Sequence, residues 1–178
     1  IGNGGGLVYA PLGPTHQAIE DIAIMKTIPN MMIIAPCDAN EMEKIMPQTV
    51  NVNGPIYIRL ARGGDKIVTE KIKNIKIGKA ILFENPKDVL FVTTGIMTQE
   101  CLEVVDILKK INIKAGVLHN GTIKPFDEKS LIKASEKAKL IVTVEEHIVS
   151  GGLGNPYGEP KWLGNSNKWH QIATNSNK

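Results

Sequence analysis

The chain has 178 residues, 42% hydrophobic and 22% charged, proportions that fit a folded globular protein and exclude a disordered chain or a coiled coil. Its formal charge of +3 is scattered along the chain, and without a clustered basic stripe it gives no footprint for nucleic acid. The longest apolar run, Met31 to Ala35, is far short of the ~20 residues of a membrane span; nothing near the start reads as a signal peptide, so a cytoplasmic protein without a membrane partner is expected.

A glycine-rich opening, Gly2 to Gly13, precedes apolar residues at 18, 19, 22, 23, 25 and 28, a helical spacing that Pro29-Asn30 ends. Met31 to Ala35 reads as a parallel strand covered on both faces. Asp38 and Glu41 form a capping box at the start of a helix running to about Met46, and Pro55 to Ala61 reads as the next strand. Residues 65 to 76 suggest an exposed connector leading into an edge strand, with a domain boundary at about residue 66. Strands at 88–93, 114–119 and 140–144 then alternate with helices at 98–110 and 127–137. Strand–helix alternation argues for α/β architecture: two partial or small doubly wound, three-layer domains with mostly parallel sheets. Glu145-Glu146-His147 reads as a loop ahead of Gly151-Gly152-Leu153-Gly154. From Asn155 onward apolar periodicity stops, and residues 155–178 read as an irregular, non-native tail. Since residue 1 is Ile, the expected reading frame is longer than the chain.

Cys37 and Cys101 lie far apart with no paired metal-ligand spacing, so two reduced core thiols are expected and no metal site. Gly2 to Gly6 does not follow a visible strand and lacks the G-x-G-x-x-G spacing of a dinucleotide loop. Arg59 and Arg62 are the only arginines. Their planar forks suit phosphate or carboxylate, but three positions apart on a strand they point to opposite faces. Arg62 lies at the strand's carboxyl end, where α/β sheets bind ligands, and is the better anion ligand; Arg59 is equally compatible with an internal ion pair. His16, at an expected helix start, suits a neutral hydrogen-bonding role. His119, His147 and His170 have weaker claims.

Gly13-Pro14-Thr15-His16-Gln17, Ile19-Glu20-Asp21, Ile28-Pro29-Asn30-Met31, Pro36, Asp38 and Glu41 resemble the transketolase family of thiamine-diphosphate enzymes. The resemblance continues through Gly54-Pro55-Ile56-Tyr57-Ile58-Arg59 with Arg62, then Gly95, Met97, Thr122-Ile123-Lys124-Pro125, Val144-Glu145-Glu146-His147 and Gly151-Gly152-Leu153-Gly154, covering about residues 1–154. It implies that residues 1–66 are the C-terminal half of a pyrimidine-binding domain and residues 67–154 a transketolase C-terminal domain. By the same resemblance His16 reaches the two-carbon unit being transferred, and Arg62 grips the sugar phosphate, with Arg59 as a second candidate. The glutamate that activates thiamine diphosphate is expected upstream of Ile1, and the Mg2+ and diphosphate ligands on an N-terminal domain or subunit. This makes an oligomer with that partner the working assembly. Leu12 stands where the family commonly has an Asp that contacts a substrate hydroxyl, and it can make no such hydrogen bond.

The implied function is therefore a portion or C-terminal subunit of a transketolase-like transferase, inactive as this chain alone, that moves a two-carbon ketol unit between sugar phosphates. The runner-up within the family is a deoxyxylulose-phosphate-synthase-like decarboxylating transferase, which carries paired arginines. From another class comes a non-catalytic dimerisation module.

Overall fold

A computed structural model describes residues 1–154 and, by backbone alone, 169–174. Two mostly parallel sheets organise it. The first has strand order β1 (Gly2–Asn3), β3 (Ile56–Leu60), β2 (Met32–Ile34), β7 (Thr122–Lys124). Here β1 and β2 run parallel to β3, while β7 is antiparallel to β2. Helix α1 (Asp21–Thr27) and Tyr57 pack with Ile33 around Ile22, and helix α2 (Ala39–Ile45) brings Ile45 against Ile34, Ile58 and Ile75. Because Ile33 and Ile34 are successive on a pleated strand, they face these two opposite layers.

The second sheet has order β4 (Ile81–Leu82), β6 (Ala115–His119), β5 (Val89–Thr93), β8 (Leu140–Ile148), β9 (Trp169–Thr174). All its pairings are parallel except β4 against β6. Phe91, Val117 and Val142 pack with Cys101 and Val105 of α3 (Met97–Lys110), while Leu90, Val92 and Leu118 pack with Leu131 and Ala134 of α4 (Glu128–Ser135). This is the three-layer α/β arrangement that the strand–helix alternation predicts. Full burial of Leu90, Leu118 and Leu131 contributes about 1.5–3 kcal/mol each.

Several expectations are corrected. The 65–76 connector is not simply a solvated link. Asp38, besides capping α2 through Glu41 N–H, accepts from Val68 N–H and from both the N–H and hydroxyl of Thr69, so Thr69 is buried. Strand β8 continues past Val144 through Glu145-Glu146-His147, which is strand and not loop; a register shift between Val144 and Ile148 accommodates the extension. The sequence from 155 onward is not wholly irregular, since 169–174 adds a parallel edge strand to β8; the rest of that segment lies outside the described residues. Strand β7, absent from the predicted elements, returns from the second half of the chain to pair with β2. Cys37 and Cys101 are buried free thiols, as expected.

Candidate functional site

The glycine-rich opening starts as β1 beside β3 and then leaves the first sheet. Gly5 N–H donates to Leu60 C=O, and Gly6 N–H donates to Ala18 C=O. A Cβ at Gly5 would lie 2.6 Å from Arg59 Cγ and Nε, so only glycine leaves room for the arginine stem beneath this turn. Between these anchors the chain makes two 3-10 turns, Ala10–Leu12 and Pro14–His16, and projects outward.

His16 is exposed, with Thr15 Oγ1 3.0 Å from its Nδ1. It ends a single 3-10 turn, and α1 begins only at Asp21. The helix-start setting expected for His16 is therefore corrected: Gln17 to Glu20 intervene, and α1's free N–H groups do not frame it. Leu12, 57% exposed, projects from the same loop.

Arg59 is turned inward. Its Nε donates to Asp21 Oδ2 at 2.9 Å, and its Nη2 donates to Ala18 C=O at 2.9 Å and Glu146 C=O at 2.8 Å. At 6% exposure this fork is committed to internal partners, which corrects Arg59 as a phosphate ligand. Tyr57 hydroxyl donates to the same Asp21 oxygen, and burial pushes the phenol up, with the Asp21 bond adding to the effect.

Arg62 lies just beyond the carboxyl end of β3, exposed, with its guanidinium carbon 5.8 Å from the centroid of the Tyr9 ring. An aromatic face attracts a cation at this range. Arg62 lines an open cleft of about 470 Å³ with Pro36, Asp38, Met42, Leu60 and Ile67. Arg62 thus stands at a mostly apolar cleft beyond the ends of β2 and β3. His16 is not part of that lining; Tyr9, which precedes the loop's first 3-10 turn, is the contact between its loop and Arg62.

One polar cluster escaped the sequence reading. Glu41 Oε2 accepts from Cys37 N–H at 2.6 Å and lies 2.8 Å from His119 Nε2; His119 Nδ1 lies 2.7 Å from Thr98 Oγ1, which in turn meets Thr93 Oγ1. Burial would raise the Glu41 carboxyl, but the His119 charge and hydrogen bond, helped by Cys37 N–H, outweigh it and hold the group below the usual carboxylate range. Burial and the nearby Glu41 and Asp38 carboxylates push the Cys37 thiol up, so it is no thiolate nucleophile. The capping box offered a hint, but Glu41 reaches Cys37 N–H rather than the Asp38 N–H of the standard motif. Nothing in the sequence ties it to a histidine 78 positions away.

The β8 acids, read from sequence as part of a loop, also have defined partners. Glu145 accepts from Leu153 and Gly154 N–H. Glu146 Oε1 accepts from Leu7 N–H at 3.1 Å; burial raises its carboxyl, against the opposing pull of Leu7 N–H and Arg59. Lys26 donates to Gly152 C=O, and burial lowers its ammonium to about 8.

Among the described residues, the only His/Cys/Asp/Glu group whose ligand atoms converge, within 4.8 Å, is Cys37, Glu41 and His119. A thiol and an imidazole are not the oxygen donors that Mg2+ takes, and among the described residues Arg62 is the only Lys or Arg in the cleft lining. The residues present do not fit a magnesium–diphosphate site. No described helix is long and apolar enough to cross a membrane.

Two mostly parallel sheets with flanking helices and a strand-end cleft define an α/β protein of the transketolase C-terminal type. Residues 4–64 match the pyrimidine-binding domain of transketolase, and residues 78–156 match the transketolase C-terminal domain. The chain belongs to the transketolase family. It is 44% identical over 144 residues to a putative uncharacterized transketolase family protein of Sinorhizobium fredii, covering 80% of this chain and 42% of that one. It is 35% identical to a 6-deoxy-6-sulfo-D-fructose transketolase subunit of a Clostridium species, covering 89% and 49%, and 32% identical to a 1-deoxy-D-xylulose-5-phosphate synthase of Desulfitobacterium hafniense, covering 80% and 23%. A solved structure, described as a split gene transketolase, inactive beta4 tetramer, superposes with a TM-score of 0.80 at 31% identity, over 97% of this chain and 56% of that one. The chain spans half or less of the length of these curated relatives.

Proposed function

We propose that the chain is the C-terminal subunit, or the corresponding portion, of a thiamine-diphosphate-dependent transketolase-like enzyme that transfers a two-carbon ketol unit between sugar phosphates. The observation that carries this reading is Arg62: an exposed fork against the Tyr9 ring, at the mouth of an apolar cleft at the strand ends. Such a fork binds a phosphate through paired hydrogen bonds. In this reading residues 1–66 form the second half of a pyrimidine-binding domain and 67–154 the C-terminal domain. His16, exposed on the adjoining loop, hydrogen-bonds the unit being transferred. The cofactor, its Mg2+ and their ligands come with a partner half, since the residues here do not fit them.

Two of the relatives are named as subunits or split-gene proteins, which supports a separate partner chain and an inactive, self-associating state when this chain is alone.

The test is turnover by the chain assembled with a diphosphate-binding partner. Arg62→Ala is expected to raise KM for the sugar phosphate by about tenfold to a hundredfold, the loss of one charge-assisted phosphate contact, and His16→Ala to lower kcat. Unchanged KM in Arg62→Ala would overturn the phosphate role; unchanged turnover in both variants would leave a non-catalytic association module.

A further inference from the structure

The segment from Gly6 to Ala18 is an Ω-like loop, with ends joined by the Gly6 N–H to Ala18 C=O bond at 2.8 Å. It carries Tyr9, Leu12 and His16, and its 3-10 turns bury no side chain. A loop with so little core of its own takes its position from whatever grips its stems.

That grip comes from β8, in the other half of the chain. At the entry stem, Leu7 N–H donates to Glu146 Oε1 at 3.1 Å. Arg59 Nη2 bridges the exit stem to the same residue, donating both to Ala18 C=O and to Glu146 C=O. Next in line, Ile148 N–H donates to Ile19 C=O at 3.0 Å, and His147 Nε2 accepts from Ala23 N–H at 3.3 Å. Gly6 shows how closely the carboxylate is seated. A Cβ there would lie 2.6 Å from Glu146 Oε2, and φ is +76°, so the backbone wraps the acid where only glycine fits without strain.

We propose that Glu146 is a positioning residue: its carboxylate latches the entry stem of the Gly6–Ala18 loop and thereby sets where His16 stands. Neighbouring side chains have other partners: Glu145 accepts from Leu153 and Gly154 N–H, and His147 accepts from Ala23 N–H. The inference rests on the reading of His16 given above only for its catalytic consequence; the latch itself is a statement about the loop.

The two parts are tested separately. Hydrogen exchange on the full chain compares Glu146→Ala with Glu146→Gln, whose amide oxygen still accepts from Leu7 N–H. Amides of residues 7–17 are expected to exchange about tenfold faster or more in the alanine variant and within about twofold of the parent in the glutamine variant. Protection of β5 and β6 should stay unchanged, which separates a freed loop from general unfolding. In the enzyme assembled with its partner, Glu146→Ala is expected to lower kcat about tenfold with little change in KM, and to add nothing to His16→Ala. Unchanged loop exchange in Glu146→Ala overturns the latch. A loss that adds in full to that of His16→Ala overturns action through His16. Faster loop exchange together with normal turnover in His16→Ala keeps the latch and instead removes the catalytic reading of His16.

Discussion

Replacing His119 with alanine should be among the most damaging single changes outside the cleft. His119 and Glu41 are 0% and 4% exposed and 2.8 Å apart, and they join α2 of the first sheet to β6 of the second. Without the imidazole, the Glu41 carboxylate stays buried but keeps the hydrogen bonds from the Cys37 N–H and thiol. Removing one partner of a buried pair costs about 3–5 kcal/mol, and the surviving Cys37 bonds argue for the lower end, about 3 kcal/mol. At about 2–4 °C per kcal/mol for a chain of this size, the unfolding midpoint should fall by ~6–12 °C. The assay is thermal unfolding of the full chain at pH 7 followed by circular dichroism, with His119→Gln as a control that keeps a donor near Glu41. The pH dependence has a definite sign. The folded carboxyl is depressed below its ordinary value of 4.5, so its contribution is fully present above that value and is lost as pH falls through the folded one. The gap between parent and His119→Ala should therefore narrow in acid. A midpoint shift under about 2 °C at pH 7, or a gap that widens in acid, would refute the reasoning.

Asp38 makes four hydrogen bonds, to Glu41 N–H, Val68 N–H, Thr69 N–H and Thr69 Oγ1, so Asp38→Ala should lose the helix cap and the connector together, at about 2–4 kcal/mol in urea unfolding. Asp38→Asn, which keeps one of the two acceptor oxygens and loses the charge, should lose less than alanine, and equal losses would count against the four-bond account. Both thiols should resist Ellman's reagent at pH 8 in the native chain, because burial pushes Cys37 up and raises Cys101 to about 12; labelling of either before unfolding would contradict their placement.

Much of the fold was legible because its signals are local. In the second sheet, short apolar runs alternate with amphipathic segments, and β5, β6 and the start of β8 lie within a residue of the positions read from sequence. Three features were hidden for physical reasons. β8 runs on through Glu145-Glu146-His147 because Glu146 and His147 find partners in the other half of the chain and Glu145 in the turn that follows, contacts that no local hydropathy pattern records. β7 is three residues long, too short for a period to show. The strand at 169–174 is held by backbone pairing along an edge, a contact that imposes little on side-chain pattern. At the site, the strand-end argument located Arg62 from its own neighbours. The setting of His16 did not follow, because the apolar spacing begins at Ala18 whereas the hydrogen-bonded helix begins at Asp21. The fate of Arg59 depended on Asp21, Ala18 and Glu146 together, a convergence visible only in three dimensions.

Strand β7 makes the seam in the sequence different from the seam in space. A cut near residue 66 would separate two stretches of chain, but it would also strip β2 of its neighbour and leave that strand's hydrogen-bonding edge bare, an invitation to pair with other molecules. Anyone building a chimera from this chain and a relative would have to treat Thr122–Lys124 as belonging with the first sheet although it is encoded with the second. The halves are sewn together by a three-residue stitch, and a graft that ignores it should yield insoluble protein even when both donor modules are sound.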